Sequence, residues 1–461
     1  MAGIFAISLD RNCWDELKRG TRHLQPIRGD KHGGFAILAG NEIYPGKCDG
    51  LVEPLFQARS VEDPIIKTGR MAIGGTSFQD SQPVFAESVI GPFAIVGDMR
   101  IVNRPELATR YPYLVGSDLR ICAGLIAGSK NPVMGLERVF ENVKGRFNLA
   151  LLTLGGLFVC RDSRGFRSLT IGREKGGGCA VASESSVLGA AFGETEVELI
   201  REVKPGEIIR IESTGFRSLK QIPSKGLVIC SFDIAYGQGP ASIFEGISVY
   251  GSRFNLGKKL YQRYPVEAKI SFPFPLSGNS VCEGWAFESG IPMVNLWQYN
   301  ALIGRSYLPP SEDERKERGR GKLSPIEWII REFGQIVGVD DSIVEGNQLL
   351  ARLLLLYRLM RRYHRENGEI HLRISCPPKI KGCPLEVPSH PTEKLFAVSR
   401  NKETMQGELR VDSLEFNTLD DFLEVILNAQ SEEKKRENPL TPGNLCQCCF
   451  TGEDIMEKYF I

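Results

Sequence analysis

Two stretches of this chain concentrate residues able to do chemistry. In Val337-Gly-Val-Asp-Asp-Ser-Ile-Val-Glu-Gly-Asn347 an apolar run ends in two carboxylates, and a short loop then opens a helix. Ligands of parallel α/β sheets bind at such carboxyl ends. Asp340 and Asp341 could hold sugar hydroxyls or a metal ion, and the amides at the helix N-terminus could cradle a phosphate. Capping of the helix by Asp341 or Ser342 would explain the same residues without any ligand. The second stretch, Cys446-Gln-Cys-Cys449, holds one Cys-x-x-Cys pair with Cys448 as an extra thiol. A zinc ribbon needs a second such pair, and there is none. Isolated Cys230 and Cys383 could complete a four-thiolate site in space, which an iron–sulfur cluster tolerates. Chance clustering near a C-terminus is the other reading. The histidines (His23, His32, His364, His371 and His390) form no His-x-x-His or His-Glu-x-x-His pattern, which argues against a zinc hydrolase. No nucleophile-elbow or Walker sequence is present.

The elements that must position these residues differ between the two halves. Up to about residue 225 the chain is rich in short apolar runs punctuated by Gly, Pro and Asp, such as Gly34-Phe-Ala-Ile-Leu-Ala, Pro92-Phe-Ala-Ile-Val and Phe147-Asn-Leu-Ala-Leu-Leu-Thr-Leu. Such runs read as buried strands. Helices are expected near 116–128 and 133–143, giving stacked sheets with helical flanks, an α+β layer structure. After Ser224, Ile270-Ser-Phe-Pro-Phe-Pro, Gln335-Ile-Val-Gly-Val-Asp and Glu369-Ile-His-Leu-Arg-Ile-Ser read as strands. Between the last two lies Asn347 to Glu366, apolar at helical spacing and closed by Gly368. Strand, helix and strand make a βαβ unit and hence a parallel sheet. The charged run from Ser311 to Lys322 reads as a solvated loop or as a mobile lid. The tail from Gln430 to Asn438 reads as polar and exposed.

The 461 residues allow two or three domains, and 25% charged with 42% hydrophobic residues is ordinary for a globular chain. With 57 basic and 56 acidic residues the net charge is +1, so no global field draws the protein to nucleic acid or to an anionic membrane. The longest apolar run, Leu353 to Tyr357, is far too short to span a bilayer. No basic n-region marks a signal peptide, so a cytoplasmic location is expected. In a reducing compartment, metal or cluster ligation explains clustered cysteines better than disulfides do.

Several ordered stretches together resemble the amidophosphoribosyltransferases, the glutamine phosphoribosylpyrophosphate amidotransferases that open purine synthesis. Ala2-Gly-Ile-Phe-Ala-Ile is similar to the family's Cys-Gly-Ile-Phe-Gly-Ile, and Arg28-Gly-Asp-Lys-His-Gly-Gly to its Arg-Gly-Gln-Glu-Ser-Ala-Gly. Arg161-Asp-Ser-Arg-Gly-Phe-Arg-Ser-Leu, Ala182-Ser-Glu-Ser, Pro205-Gly-Glu and Glu245-Gly-Ile-Ser-Val-Tyr250 also match. So do Val339-Asp-Asp-Ser-Ile-Val, Leu372-Arg-Ile-Ser-Cys-Pro-Pro378 and Cys446-x-x-Cys-Phe-Thr-Gly452. The resemblance implies an α+β N-terminal nucleophile (αββα) glutaminase-like domain at 1–225. An α/β type I phosphoribosyltransferase-like domain with a C-terminal cluster-binding segment follows at 226–461. It further implies a [4Fe–4S] cluster on Cys230, Cys383, Cys446 and Cys449, with Cys448 as a substitute ligand or zinc in the same thiolates as rivals. Mg²⁺ with phosphoribosylpyrophosphate is the implied transferase substrate pair, and an oligomer, of itself or with an active paralogue, the implied assembly.

The departures from the family pattern bear on activity. Ala2 stands where the family's nucleophilic cysteine should be, and Cys13 cannot couple its sulfur to a terminal amine in that geometry. Ser77 stands where an arginine should grip the substrate carboxylate. Asp98 falls where the oxyanion hole should be, and a carboxylate there would repel a developing oxyanion. Asp118, similar to the residue that binds the glutamine amine, remains. The glutaminase is therefore expected to be inactive. In the transferase half Asp340, Asp341, Ser342 and Gly346 match the family's phosphate loop, but Glu345 replaces a cation, and Asn347 and Gln348 replace two threonines. Pro275-Leu-Ser277-Gly278 has lost a carboxylate from the pyrophosphate loop. Asn300-Ala-Leu-Ile-Gly-Arg305 has lost an arginine and a tyrosine, while Arg305, Arg318, Arg320 and Lys322 remain in the candidate lid. Efficient phosphoribosyl transfer is expected to be lost. The leading expectation is a structural or regulatory Fe–S paralogue. An ammonia-dependent transferase, or a repurposed sugar-phosphate or nucleotide binder, is the alternative.

Overall fold

The computed structural model describes residues 2–62, 64–193, 196–300, 323–386 and 389–460. The expected lid, with Arg305, Arg318, Arg320 and Lys322, lies outside the described residues.

Strict alternation builds the first half. In strand Ala2–Ser8, Ile4 and Ala6 point to one core and Phe5 and Ile7 to another, as a pleat with period two requires. Strand Phe93–Ile101 behaves alike, sending Ala94 and Val96 one way and Phe93, Ile95 and Ile101 the other. Two antiparallel sheets result. One has seven strands in the order Val197–Glu202, Thr170–Glu174, Cys179–Ala182, Ala2–Ser8, Met71–Ser77, His32–Ala39, Glu42–Asp49. The other has six: Gly215–Gln221, Glu207–Glu212, Gly156–Arg161, Gly145–Thr153, Phe93–Ile101, Val84–Ala86. Ile4, Ile73, Val96, Ala150 and Ile209 share the core between the sheets. Helix Trp14–Arg28 covers the outer face of the first through Trp14, Leu17 and Leu24. Helices Asp118–Ala127 and Pro132–Asn142 cover the second. These two lie where the apolar spacing put them, started by the side-chain caps Ser117 and Asn131. Four layers, αββα, are the outcome.

The second half is built on four parallel strands in the order Ile270–Pro273, Gln335–Asp340, Glu369–Ile374, Ser413–Phe416. Both faces are covered, so the central strand is apolar throughout. Val337 and Val339 pack with Leu260, Val281 and Trp285 on one face, and Ile336 with Leu353, Leu356 and Met360 on the other. Helix Asn347–His364 crosses between strands Gln335–Asp340 and Glu369–Ile374, as the pattern predicted. The exposed tail contains a short helix, Glu432–Glu437, that the sequence reading lacked. Ser431 caps it, and Lys434–Glu437 and Lys435–Glu432 pairs line it.

Candidate functional sites

The first site lies at one end of the stacked sheets. Ala2 pairs with Ser77 across the first sheet; in the second, Asp98 pairs with Asn148 and Arg100 with Arg146. This register gathers Ala2, Ser77, Asp80, Asp98, Arg104 and Asp118 around a cavity of about 80 Å³. Cys13 is not among them; it is buried in the core beneath helix Trp14–Arg28, where burial pushes its thiol up.

Several polar groups of this cavity are engaged within the chain. The Ala2 amide donates to Asp98 Oδ1 at 3.1 Å, and Arg146 Nη1 lies 3.0 Å from the same oxygen. Asp98 and Arg146 are each 2% exposed. Burial works to raise the Asp98 carboxyl, but Arg146 and Arg167 outweigh it and hold the group well below the ordinary carboxylate range. The expected repulsion of an oxyanion is thus only part of the case: the carboxylate's charge is compensated, and its acceptor is taken. Asp118, expected to be available for an amine, is not. Arg104 Nε donates to its Oδ1 at 2.6 Å and Arg104 Nη2 lies 2.5 Å away, while the Ile101 amide donates to Oδ2 at 3.0 Å. Ser77 Oγ accepts the amides of Gln79 and Asp80, both at 3.1 Å, so it fastens its own turn. Burial, then the charge of Asp118, lifts the Asp80 carboxyl.

The second site is the carboxyl end of strand Gln335–Asp340. A Cβ on Gly278 would sit 2.8 Å from the Val339 carbonyl oxygen and 3.2 Å from Asp340 Cα. Only glycine lets the 275–278 loop, with Ser277, close on the paired aspartates. Asp341 donates its amide to Asp340 Oδ1 at 2.9 Å, and Ser342 Oγ donates to Asp341 Oδ2 at 2.5 Å. Burial and the neighbouring Asp341 charge lift the Asp340 carboxyl well above its usual range. Neither Asp341 nor Ser342 caps the helix; Gly346 is the N-cap and no side chain bonds there. The capping explanation for these residues therefore falls away. Gly346 has φ +75°, and a Cβ would strike the Phe396 ring at 2.7 Å, so glycine is required twice over. Glu345 Oε1 lies 2.9 Å from His390 Nδ1, and Glu345 Oε2 accepts the Asn347 amide at 3.3 Å. The donor expected of Asn347 is thus turned toward Glu345. Arg305 and Lys322 fall outside the described residues.

The third site joins the two halves. Strands Ile229–Cys230 and Leu445–Cys446 pair in parallel with Cys230 opposite Cys446, and Ser231 Oγ donates to the Cys446 carbonyl at 2.6 Å. The Cys449 carbonyl accepts the amides of Ile380 and Lys381 at 2.9 and 3.1 Å, which anchors the segment carrying Cys383. Cys230, Cys383, Cys446 and Cys449 come together with Cys448 around one cavity of about 130 Å³. All are free thiols. Among the described residues, no group of three or more His, Cys, Asp or Glu is placed to hold a metal ion. Arg146, Arg167 and Lys379 also line the cavity. Burial pushes the Cys383 thiol up to about 12 and lifts the Cys449 thiol well above its ordinary value. An all-thiol, unbridged set of cysteines is the donor chemistry that iron–sulfur clusters use.

Three features of these sites carried no local signal in the sequence: Arg104 on Asp118, Arg146 on Asp98, and a buried charge network at the junction. In that network Arg28 Nε lies 2.5 Å from Glu184 Oε1, and both Arg28 and Arg167 pair with Asp233. Arg28 and Arg167 stand within matched stretches, but their partners lie 66 to 205 residues away in the chain.

A family described as a glutamine amidotransferase domain matches residues 68–190. An amidophosphoribosyltransferase of Mycobacterium tuberculosis is 31% identical over 93% of this chain and 81% of its own length. That of Bacillus subtilis is 29% identical over 95% of this chain and 90% of its own. Among solved structures, one titled as the allosteric regulatory enzyme of purine biosynthesis superposes with a TM-score of 0.82 at 27% identity, covering 98% of this chain and 96% of that one. Glutamine phosphoribosylpyrophosphate amidotransferase from B. subtilis, complexed with ADP and GMP, gives 0.81 at 27% identity, over 98% and 97%.

Proposed function

The chain belongs to the amidophosphoribosyltransferase family of purine biosynthesis, and from that premise we propose that it is a member without glutamine hydrolysis or efficient phosphoribosyl transfer, acting as a structural or regulatory Fe–S subunit. The observation that carries this reading is the self-occupied cavity at Ala2. Asp98 is bound by Arg146 and by the Ala2 amide, and Asp118 is bound by Arg104. A missing nucleophile alone costs roughly 10⁶ in rate. Here the charge and hydrogen-bonding groups around it are also committed to each other. The division between a glutaminase-like and a transferase-like domain falls at 225 and 226, and the metal site is Cys230, Cys383, Cys446 and Cys449. A [4Fe–4S] cluster there would tie the C-terminal segment to the domain junction and supply folding free energy. The working location is the cytoplasm; no helix among the described residues is long and apolar enough to cross a membrane. The working assembly is an oligomer of this chain or one with an active amidotransferase.

The test is assay of the purified chain for ammonia release from glutamine and for pyrophosphate release from phosphoribosylpyrophosphate with Mg²⁺ and ammonium. Neither above background is the expected result, with an amidotransferase co-purifying from the native cell. Glutamine hydrolysis at ordinary enzymatic rates would sink the proposal.

One observation favours a second reading, ammonia-dependent transfer: Asp340, Asp341, Ser342 and Gly278 remain assembled at the strand end. Ammonium-dependent pyrophosphate release without glutamine hydrolysis would select it.

A further inference from the structure

Arg146 serves two sites at once. Its Nη1 lies 3.0 Å from Asp98 in the first cavity, and its Nε donates to the Leu385 carbonyl at 2.8 Å, two residues from Cys383. The guanidinium lines the cysteine cavity and is 2% exposed; Nη1 is held by Asp98 as an ion pair without a hydrogen bond, and Nη2 has no hydrogen-bond partner. Arg167 lines the same cavity, paired with Asp233 through one nitrogen and with its Nε unpartnered. Arg100 Nε donates to the Pro384 carbonyl at 3.3 Å, so two neighbouring strands hold the segment that carries Cys383. A buried guanidinium nitrogen without an acceptor is costly unless something accepts from it. Among the described residues, the other polar side chains of the cavity lining are the cysteines, the lysines and the acids Glu386, Glu453 and Asp454. Of these acids, Glu386 is held by Lys379, Glu453 by Lys458 and Asp454 by Lys381.

We propose that Asp98 and Arg146 are a positioning pair for the cysteine cavity: Asp98 holds one arm of the guanidinium, and the other arm donates to sulfur of the cluster bound there. This inference rests on the cluster reading of the third site. The polar equipment of the family's oxyanion position then has a new role, as support for the cluster from the neighbouring domain. Donors to cluster sulfur and nearby positive charge stabilise the more negative, reduced state and raise the reduction potential.

The test loads the full-length chain anaerobically with ferrous iron and sulfide, measures iron per chain, and titrates the reduction by electron paramagnetic resonance. Three proteins are compared: the unaltered chain, Arg146→Lys, and the double variant Asp98→Ala/Arg146→Ala. The double variant removes both buried charges together, so neither is stranded and the net charge of the pair is unchanged. It is expected to keep its iron and to lose about tenfold in the reduction equilibrium, ~59 mV for one electron, with Arg146→Lys between it and the unaltered chain. Iron lost from the double variant but kept by Arg146→Lys is the same support expressed as affinity. An unchanged potential in the double variant, or iron lost equally from both variants, overturns the pair's role and leaves the cluster reading standing. An unaltered chain that takes up no iron overturns the cluster reading and this inference with it.

Discussion

Restoring the nucleophile should not restore the glutaminase. The perturbation is Ala2→Cys, produced with the new residue's amine free to act as base. In competent enzymes a single oxyanion donor is worth roughly 10²–10³ in rate, about 2.7–4 kcal/mol. Here Asp98 occupies that place as an acceptor, bound to the Ala2 amide at 3.1 Å and to Arg146 at 3.0 Å. Substrate binding is also compromised. The arginine replaced by Ser77 would have made a charge-assisted bond worth about 1.5–3 kcal/mol. Displacing Arg104 from Asp118 adds no more than about 1 kcal/mol, since the arginine side chain is 43% exposed. These factors do not multiply cleanly, but the smallest oxyanion factor alone leaves Ala2→Cys at least ~10² below a competent site. The assay is continuous detection of ammonia released from glutamine. Ala2→Cys is expected to stay at least ~10²-fold below a competent glutaminase; adding Asp98→Asn, Arg146→Ala and Ser77→Arg is expected to raise release at least tenfold over Ala2→Cys. Substantial hydrolysis by Ala2→Cys alone would refute the reasoning, because it would mean that the ion pairs around Ala2 yield to substrate.

Calorimetric titration with phosphoribosylpyrophosphate and Mg²⁺ should show no saturable binding at micromolar ligand, and Glu345→Arg should tighten it at least tenfold; tight binding by the unaltered chain would show that the Glu345–His390 contact does not obstruct the loop. In urea denaturation, Arg146→Ala should cost about 3–5 kcal/mol and the double variant with Asp98→Ala less than half of that, because only the single change strands a buried charge. Glu202 gives a pH signature. Burial, opposed by Arg161 and reinforced by Glu245, raises its carboxyl from 4.5 to about 7. The folded state therefore keeps a proton that the unfolded chain releases, so stability should fall as pH rises from about 4.5 to about 7 and level off above, by at most ~3 kcal/mol. Glu202→Gln should flatten that dependence in thermal melts across the window; an unchanged slope would show that Glu202 is not its source. Cys383→Ser should lower iron per chain after anaerobic reconstitution while leaving the circular dichroism of the sheets in place.

What the sequence made legible followed the range of the forces involved. The βαβ unit around Asp340 was readable because its signals are local: an apolar run, helical spacing from Asn347 onward, and a glycine, Gly368, closing the helix. The gathering of the cysteines was readable because one Cys-x-x-Cys pair and two isolated thiols stand where the resemblance implies cluster ligands, and all four are free thiols around one cavity. The Asp98–Arg146 pair was not readable. The two are 48 positions apart and meet only because the strands Phe93–Ile101 and Gly145–Thr153 run antiparallel in one particular register. Arg104 is closer in sequence to Asp118, yet it stands at the start of a short helix, where an arginine usually faces solvent. The short helix Glu432–Glu437 was missed because its support is charge pairs and a cap rather than an apolar stripe.

The pattern of what is kept and what is filled argues for retention with a purpose rather than for decay. A buried charge without a counter-charge would be costly. At the Ala2 cavity the acid at 98 has a guanidinium from 146, and the acid at 118 has one from 104. At the strand-end loop the acid at 345 has His390. Such pairing stabilises the fold around the positions where this chain departs from the family pattern. The buried Arg28–Asp233 and Arg167–Asp233 contacts across the domain junction point the same way, since each would be expensive to maintain if the two halves had no need to stay together. The junction is also where the five thiols gather, which is the arrangement expected of a chain whose remaining task depends on its assembled shape.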